Sequence, residues 1–229
     1  MGVVFDGIDD EATFGSDASI DDWTQLSAAL WIDLQSSGVS LQIVNKQSAV
    51  ADEGWWLGIT STNQLRFNQY WSDSGTTRHR ITADGTISTG IHQVGVTYDN
   101  SSTSNVALIY LDGVAVATTT NTTPTGGAPF ADAGFTLRLG MTASGVDDFT
   151  GSMASFIYAN RILTAGEMNR HYQTGQISPG TDEVWHPLND NDASQANKGP
   201  ATAPLTLVGS AVMTTALPEA HKFFGAGLG

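Results

Sequence analysis

The stretch "VALIYLDGVAVAT" (residues 106–118) decides how the chain folds. Its aliphatic, β-branched and aromatic residues run up to Asp112-Gly113 and resume directly after it. Asp-Gly supplies the two positive-φ positions of a tight two-residue turn, so the pattern predicts an antiparallel hairpin. "ITADGTIS", with Asp84-Gly85, is a second and weaker instance of the same signal.

Short strand-like runs extend in both directions from this hairpin. They are "SAALWIDL" (27–34), "LQIVNK" (41–46), "WWLGIT" (55–60), "QLRFNQYW" (64–71), "HQVGVTYD" (92–99), "FTLRLGM" (135–141) and "SMASFIYA" (152–159). Gly, Asp, Asn or Ser bounds many of them, which is turn chemistry. Strands at this spacing predict an all-β fold, an antiparallel two-sheet sandwich. One segment breaks the rhythm. In "LTAGEMNRHYQTG" (163–175), Thr164 with Glu167 three residues on makes a capping box, and Gly175 is placed to end a helix. A short helix near 164–173 is expected, with Leu163, Met168 and Tyr172 as its apolar stripe. Beyond it, 183–213 reads as further strands of the same sandwich. The predicted organisation is one domain over 1–216 and an apolar, Gly-rich arm over 217–229.

Bulk composition narrows the function classes. The 229 residues include 23 Asp and Glu against nine Lys and Arg, a net charge of -14. Such a surface repels phosphate backbones and anionic lipid, so neither nucleic-acid binding nor membrane insertion is expected. No apolar run approaches the ~20 residues of a membrane span. Without cysteine there is no disulfide or thiolate–metal framework. Catalysis has little to work with. The five Glu lack the spacing of a paired-carboxylate glycosidase, and no serine elbow or His-Glu-x-x-His metal motif is present. The chain is expected not to be an enzyme.

Four stretches remain as candidate sites. "FDGIDD" brings Asp6, Asp9 and Asp10 together, and Asp147 and Asp148 in "GVDDF" could join them around Ca²⁺, which takes six to eight oxygens. A tight turn at Asp6-Gly7 with solvated acids is the first reading and the metal the second. "NQYWSDSGTTRHR" carries Tyr70 and Trp71, able to stack on a sugar, beside Arg78, His79 and Arg80, the one basic cluster in an acidic chain. The plainer reading packs Trp71 at a strand end. In "EGWWLG", a period of two puts one of Trp55 and Trp56 inside and leaves the other needing cover from a loop, ligand or neighbour. Last, Phe223, Phe224 and Leu228 in the C-terminal arm either fold back or dock onto a neighbouring subunit or partner.

The order of these pieces resembles the laminin-G-like, concanavalin A-like jelly-roll family. The matching segments are "FDGIDD", "SAALWIDL", "IVNKQ", "WWLGI", "LRF", "IHQVGVTYD", "LIYLDGVAV", "LRLG" and "FTGSMASFIYANRILTAGEMNRHYQTG", which together cover residues 3–175. The resemblance implies a jelly roll that requires no cofactor. Ala154 and Ser155 stand where members that hold Ca²⁺ have acids, so calcium is the weaker expectation. A non-enzymatic structural or adhesion role is implied, first as a decoration or tail protein on the surface of a phage virion assembled in the host cytoplasm. That role calls for a protein partner or self-assembly, with glycan as a further ligand. The alternative is an extracellular, secreted carbohydrate-binding module.

Overall fold

The computed structural model describes residues 2–72, 78–176, 183–186, 188 and 205–214. The strands, in chain order, are β1 (Gly2–Asp6), β2 (Glu11–Thr13), β3 (Gln25–Leu34), β4 (Leu41–Gln47), β5 (Gly54–Ile59), β6 (Leu65–Gln69), β7 (Arg78–Thr82) and β8 (Gly90–Asp99). They continue as β9 (Leu108–Leu111), β10 (Val114–Val116), β11 (Thr118–Asn121), β12 (Arg138–Leu139) and β13 (Thr150–Ala159). After helix α1 (Ala165–Thr174) come β14 (Glu183–His186), β15 (Thr206–Val208) and β16 (Val212–Thr214).

These elements build the antiparallel jelly-roll sandwich. One sheet runs β10-β9-β8-β3-β13-β1-β16, with β14 also on β13; the other runs β11-β7-β6-β5-β4-β12-β2-β15. The predicted hairpin is present: β9 and β10 pair around Asp112 (φ 50°) and Gly113 (φ 79°). Asp84-Gly85 differs from its expectation. It is a turn between β7 of one sheet and β8 of the other, tied by its Gly85 amide to the Thr62 carbonyl, so it links the sheets and closes no hairpin. A turn dipeptide fixes a local reversal, and the sheet each flank joins depends on distant partners.

The C-terminal strands are woven into both layers. β14 extends the β13 edge beside β1, β15 pairs with β2, and β16 pairs with β1. Residues 217–229, including Phe223, Phe224 and Leu228, lie outside the described residues.

The core lies between the inner faces. Leu26, Ala28, Leu30, Ile32 and Leu34 on alternate positions of β3 meet Trp55, Leu57, Leu65 and Phe67 of the facing sheet. Helix α1 covers the outer face of the first sheet, where Ala29, Tyr110, Ile157, Leu163 and Met168 form a second apolar cluster. Its capping box and left-handed Gly175 terminus are as expected. The expected stripe is corrected at one position: Tyr172 sits at the rim, stacked on Trp31 at 5.3 Å, while His171 is fully buried. His171 Nε2 donates to the Ser155 carbonyl (2.7 Å), so Nδ1 accepts from Gln93 Nε2 (3.3 Å). Gln93 Oε1 in turn accepts the Gly113 amide at 2.9 Å. This relay links helix, hairpin turn and the β13 bulge at Ser155, where φ is 52°. Burial holds the imidazole pKa down at about 4, so His171 is neutral at pH 7.

Candidate functional site

On β5 the two-residue period separates the tryptophans. Trp55 is 1% exposed and packs in the core, and Trp56 stands half-buried on the outer face of the second sheet. β6 follows the same alternation. Leu65, Phe67, Gln69 and then Trp71 point inward, whereas Arg66, Asn68 and Tyr70 point outward. Strand register places Asn68 between Trp56 of β5 and His79 of β7.

Trp56, Arg66, Tyr70 and His79 therefore stand half-buried on one outer face, with Asn68, 0% exposed, beneath them. The Arg66 guanidinium lies 4.9 Å from the Trp56 ring centroid, a cation–π contact. Burial raises the Tyr70 phenol above its ordinary pKa, against a lowering by the neighbouring Trp56 indole. Burial, then the charges of Arg66 and Arg80, hold the His79 pKa down, so its ring stays uncharged at neutral pH. Four side-chain polar atoms of these five residues are buried without a hydrogen-bond partner: Arg66 Nε, both Oδ1 and Nδ2 of Asn68, and His79 Nδ1. Buried polar groups are ordinarily paired, so unpaired ones beside an indole single this face out as the candidate site.

The expected group over residues 70–80 is split by the sheet. Tyr70 and His79 reach the outer face. Trp71 is 2% exposed, bridged to Pro129 and packed in the core, and Arg80 is 4% exposed and donates to the His79 and Thr122 carbonyls. Neither Trp71 nor Arg80 presents a surface to stack or pair with a ligand. The plainer reading of Trp71 describes it. Arg78 lies in β7 opposite Gln69, and its side chain is outside the described set. Arg66 and Asn68 were missed, although alternation from Tyr70 places them on its face.

The acidic residues do converge. One carboxylate oxygen from each of Asp6, Asp9 and Asp10 lies within 4.8 Å of the others. Burial, then the charges of Asp147, Asp9, Asp6 and Asp10, raise the Asp148 pKa, so that carboxylate faces the cluster as well. The acids also serve a turn. Asp6 Oδ1 accepts the Ile8 amide, Asp10 Oδ2 accepts the Asp6 amide, and Ser210 Oγ donates to both side chains. The N-terminal turn is thereby fastened to the β15–β16 connection.

A further polar network lies inside. Lys46 Nζ, fully buried, contacts Asp21 Oδ1 at 2.7 Å, Asp132 Oδ1 at 2.7 Å and the Asp132 carbonyl at 2.6 Å. Trp55 Nε1 donates to Asp132 Oδ2 at 3.1 Å. Of the glutamates, Glu11 pairs with Arg138 at 2.8 Å, and Glu167 caps α1 and pairs with Arg161.

Comparison with known proteins agrees with this architecture. A candidate carbohydrate-binding protein of Bacteroides ovatus is similar in structure (TM-score 0.66, 12% identity), over 94% of this chain and 61% of that one. The chain thus spans about three fifths of that protein's length. The carbohydrate-binding module CBM40 of the Ruminococcus gnavus IT-sialidase, bound to α2,3-sialyllactose, is similar at TM-score 0.52 and 15% identity, over 72% of this chain and 95% of that one. The heptameric SAP-like pentraxin of Limulus polyphemus follows at TM-score 0.51 and 11% identity, over 74% and 80%. No curated protein sequence matches. Residues 6–169 match the family model of the concanavalin A-like lectin/glucanases superfamily, and the chain belongs to that family.

Proposed function

We propose that the protein is a non-catalytic glycan-binding adhesion module, with the outer face of the second sheet as its binding surface. The observation that carries this reading is the half-buried Trp56 beside Arg66 Nε and the Oδ1 and Nδ2 of Asn68, buried atoms that lack hydrogen-bond partners. An indole offers a flat apolar platform for the C–H face of a pyranose ring, and the flanking polar groups bind its hydroxyls. Tyr70 and His79 border the platform. Two of the similar structures, from B. ovatus and R. gnavus, carry carbohydrate-binding descriptions, which fits the reading, although the likeness itself concerns fold. The non-catalytic part is supported by Glu11 and Glu167, each held in an ion pair with arginine.

The test is a glycan array probed with the full chain and with Trp56→Ala. The wild type should retain a defined set of glycans that the variant loses. An array blank for the wild type, or unchanged by the substitution, contradicts the reading.

The placement on a virion surface, docked to a protein partner, rests on the arm at 217–229 and has its own test. If the arm assembles, the full chain is larger in solution than a chain ending at Ala216. Equal monomer masses, with no partner recruited through the arm, would oppose it.

A further inference from the structure

At one end of the sandwich, where β5 begins and β6 and β8 end, a cleft of about 200 Å³ opens between the sheets. Its walls include Trp23, Trp55 and Phe130, and its polar lining comes from Asp22, Gln69, Asn100 and Asp132. Gln69 and Asn100 are 3% and 7% exposed, and each has a buried side-chain oxygen, Oε1 or Oδ1, with no hydrogen-bond partner. Their orientation is fixed by their other ends. Gln69 Nε2 donates to the Gly54 and Tyr70 carbonyls (3.2 and 3.3 Å), and Asn100 Nδ2 donates to the Trp23 carbonyl (3.3 Å). Flipping either amide would set oxygen against oxygen, so both present acceptors that need donors from elsewhere.

The charges point the same way. Asp21, Asp22 and Asp132 cluster around a single buried cation, Lys46, which contacts Asp21 and Asp132. Asp22 stands exposed at the cleft, its Oδ1 accepting the amides of Asp132 and Ala133 (2.8 and 3.1 Å). Unpaired acceptors, an excess of carboxylate and aromatic walls together select a compact donor carrying positive charge. We propose that this cleft is a second binding site, separate from the Trp56 face, for a primary ammonium group. That chemistry has two sources, an amino-sugar residue of a glycan and a free polyamine.

The experiment titrates the full chain at neutral pH and low salt with D-glucosamine, 1,4-diaminobutane and N-acetyl-D-glucosamine, followed by the indole N–H resonances of Trp23 and Trp55. Saturable shifts with at least one amine, and none with the acetylated sugar, are expected. Glucosamine alone assigns the amino sugar, and diaminobutane alone the polyamine. Asp22→Asn, which keeps the Oδ1 acceptor and removes the charge, should weaken amine binding at least about tenfold. Phe130→Ala, at the half-buried rim, should weaken it as well, while Trp56→Ala should leave it unchanged. No saturable binding by either amine, equal binding of the acetylated sugar, or unchanged affinity in folded Asp22→Asn and Phe130→Ala would overturn the proposal.

Discussion

Trp55 and Trp56 are neighbours in the chain and lie on opposite faces of one sheet. The first directs its indole N–H into the core, 3.1 Å from Asp132 Oδ2, and the second lies under the Arg66 guanidinium at 4.9 Å on the outer surface. The first serves the core, and the proposed function gives the second to recognition. Trp55→Ala should cost about 3–5 kcal/mol through the cavity it leaves. Trp56→Ala should cost about 1 kcal/mol and abolish glycan retention. Urea unfolding of both variants, beside their array profiles, checks the division.

His171 makes stability fall in acid. Its folded pKa, about 4, is depressed below an ordinary value of 6.5, so the unfolded chain binds the proton first. The contribution is fully present above 6.5, is lost as pH falls from 6.5 to about 4, and changes no further below that. The gap corresponds to about 3 kcal/mol. The measurement is the pH dependence of unfolding free energy for wild type minus His171→Gln, which should show this slope in that window. A flat difference would refute the assignment.

Lys46 sits fully buried with two carboxylates and a carbonyl around it. Lys46→Met should destabilise by about 3–5 kcal/mol, because Asp132 is left charged and desolvated. Burial already raises the Asp132 pKa, with Lys46 opposing that rise. Lys46→Met combined with Asp132→Asn should recover part of the loss, which a double-mutant cycle measures.

Asp148 works in the opposite sense to His171. Its pKa is raised by burial and by the neighbouring acids, so its folded-state charge opposes folding at neutral pH. The opposition is relieved as pH falls through that raised value and is gone below the unfolded carboxylate range. Asp148→Asn should therefore raise the melting temperature at pH 7, with the gain shrinking as the pH is lowered toward the ordinary carboxylate range. Thermal melts across that range test the sign.

The parts of the fold legible in the sequence were those fixed by neighbours along the chain. Asp112-Gly113, the Thr164–Glu167 capping box and the alternation of Trp55 with Trp56 act over a few residues, and each is where its chemistry put it. What lay beyond local reading depends on partners far away. Lys46 is buried because Asp21 and Asp132 reach it from 25 and 86 residues off. Asp84-Gly85 turns between sheets because β7 and β8 find separate partners. The candidate site falls between these cases. Tyr70 and His79 reach the face, but Trp71 lies one step out of phase and turns inward, and extending the β6 alternation would have exchanged it for Arg66 and Asn68. The stripe on α1 was one residue off for a related reason: His171 is drawn inside by Gln93 and Ser155, which no helical periodicity reveals.

The most direct test of the glycan-binding face is a backbone and side-chain chemical-shift map of the ¹⁵N-labelled chain, titrated with the glycan that the array retains best. The account predicts perturbations centred on Trp56, Arg66, Asn68, Tyr70 and His79. Perturbations confined to the helix-covered sheet or to the Asp6–Asp10 turn, with the Trp56 indole unmoved, would contradict it.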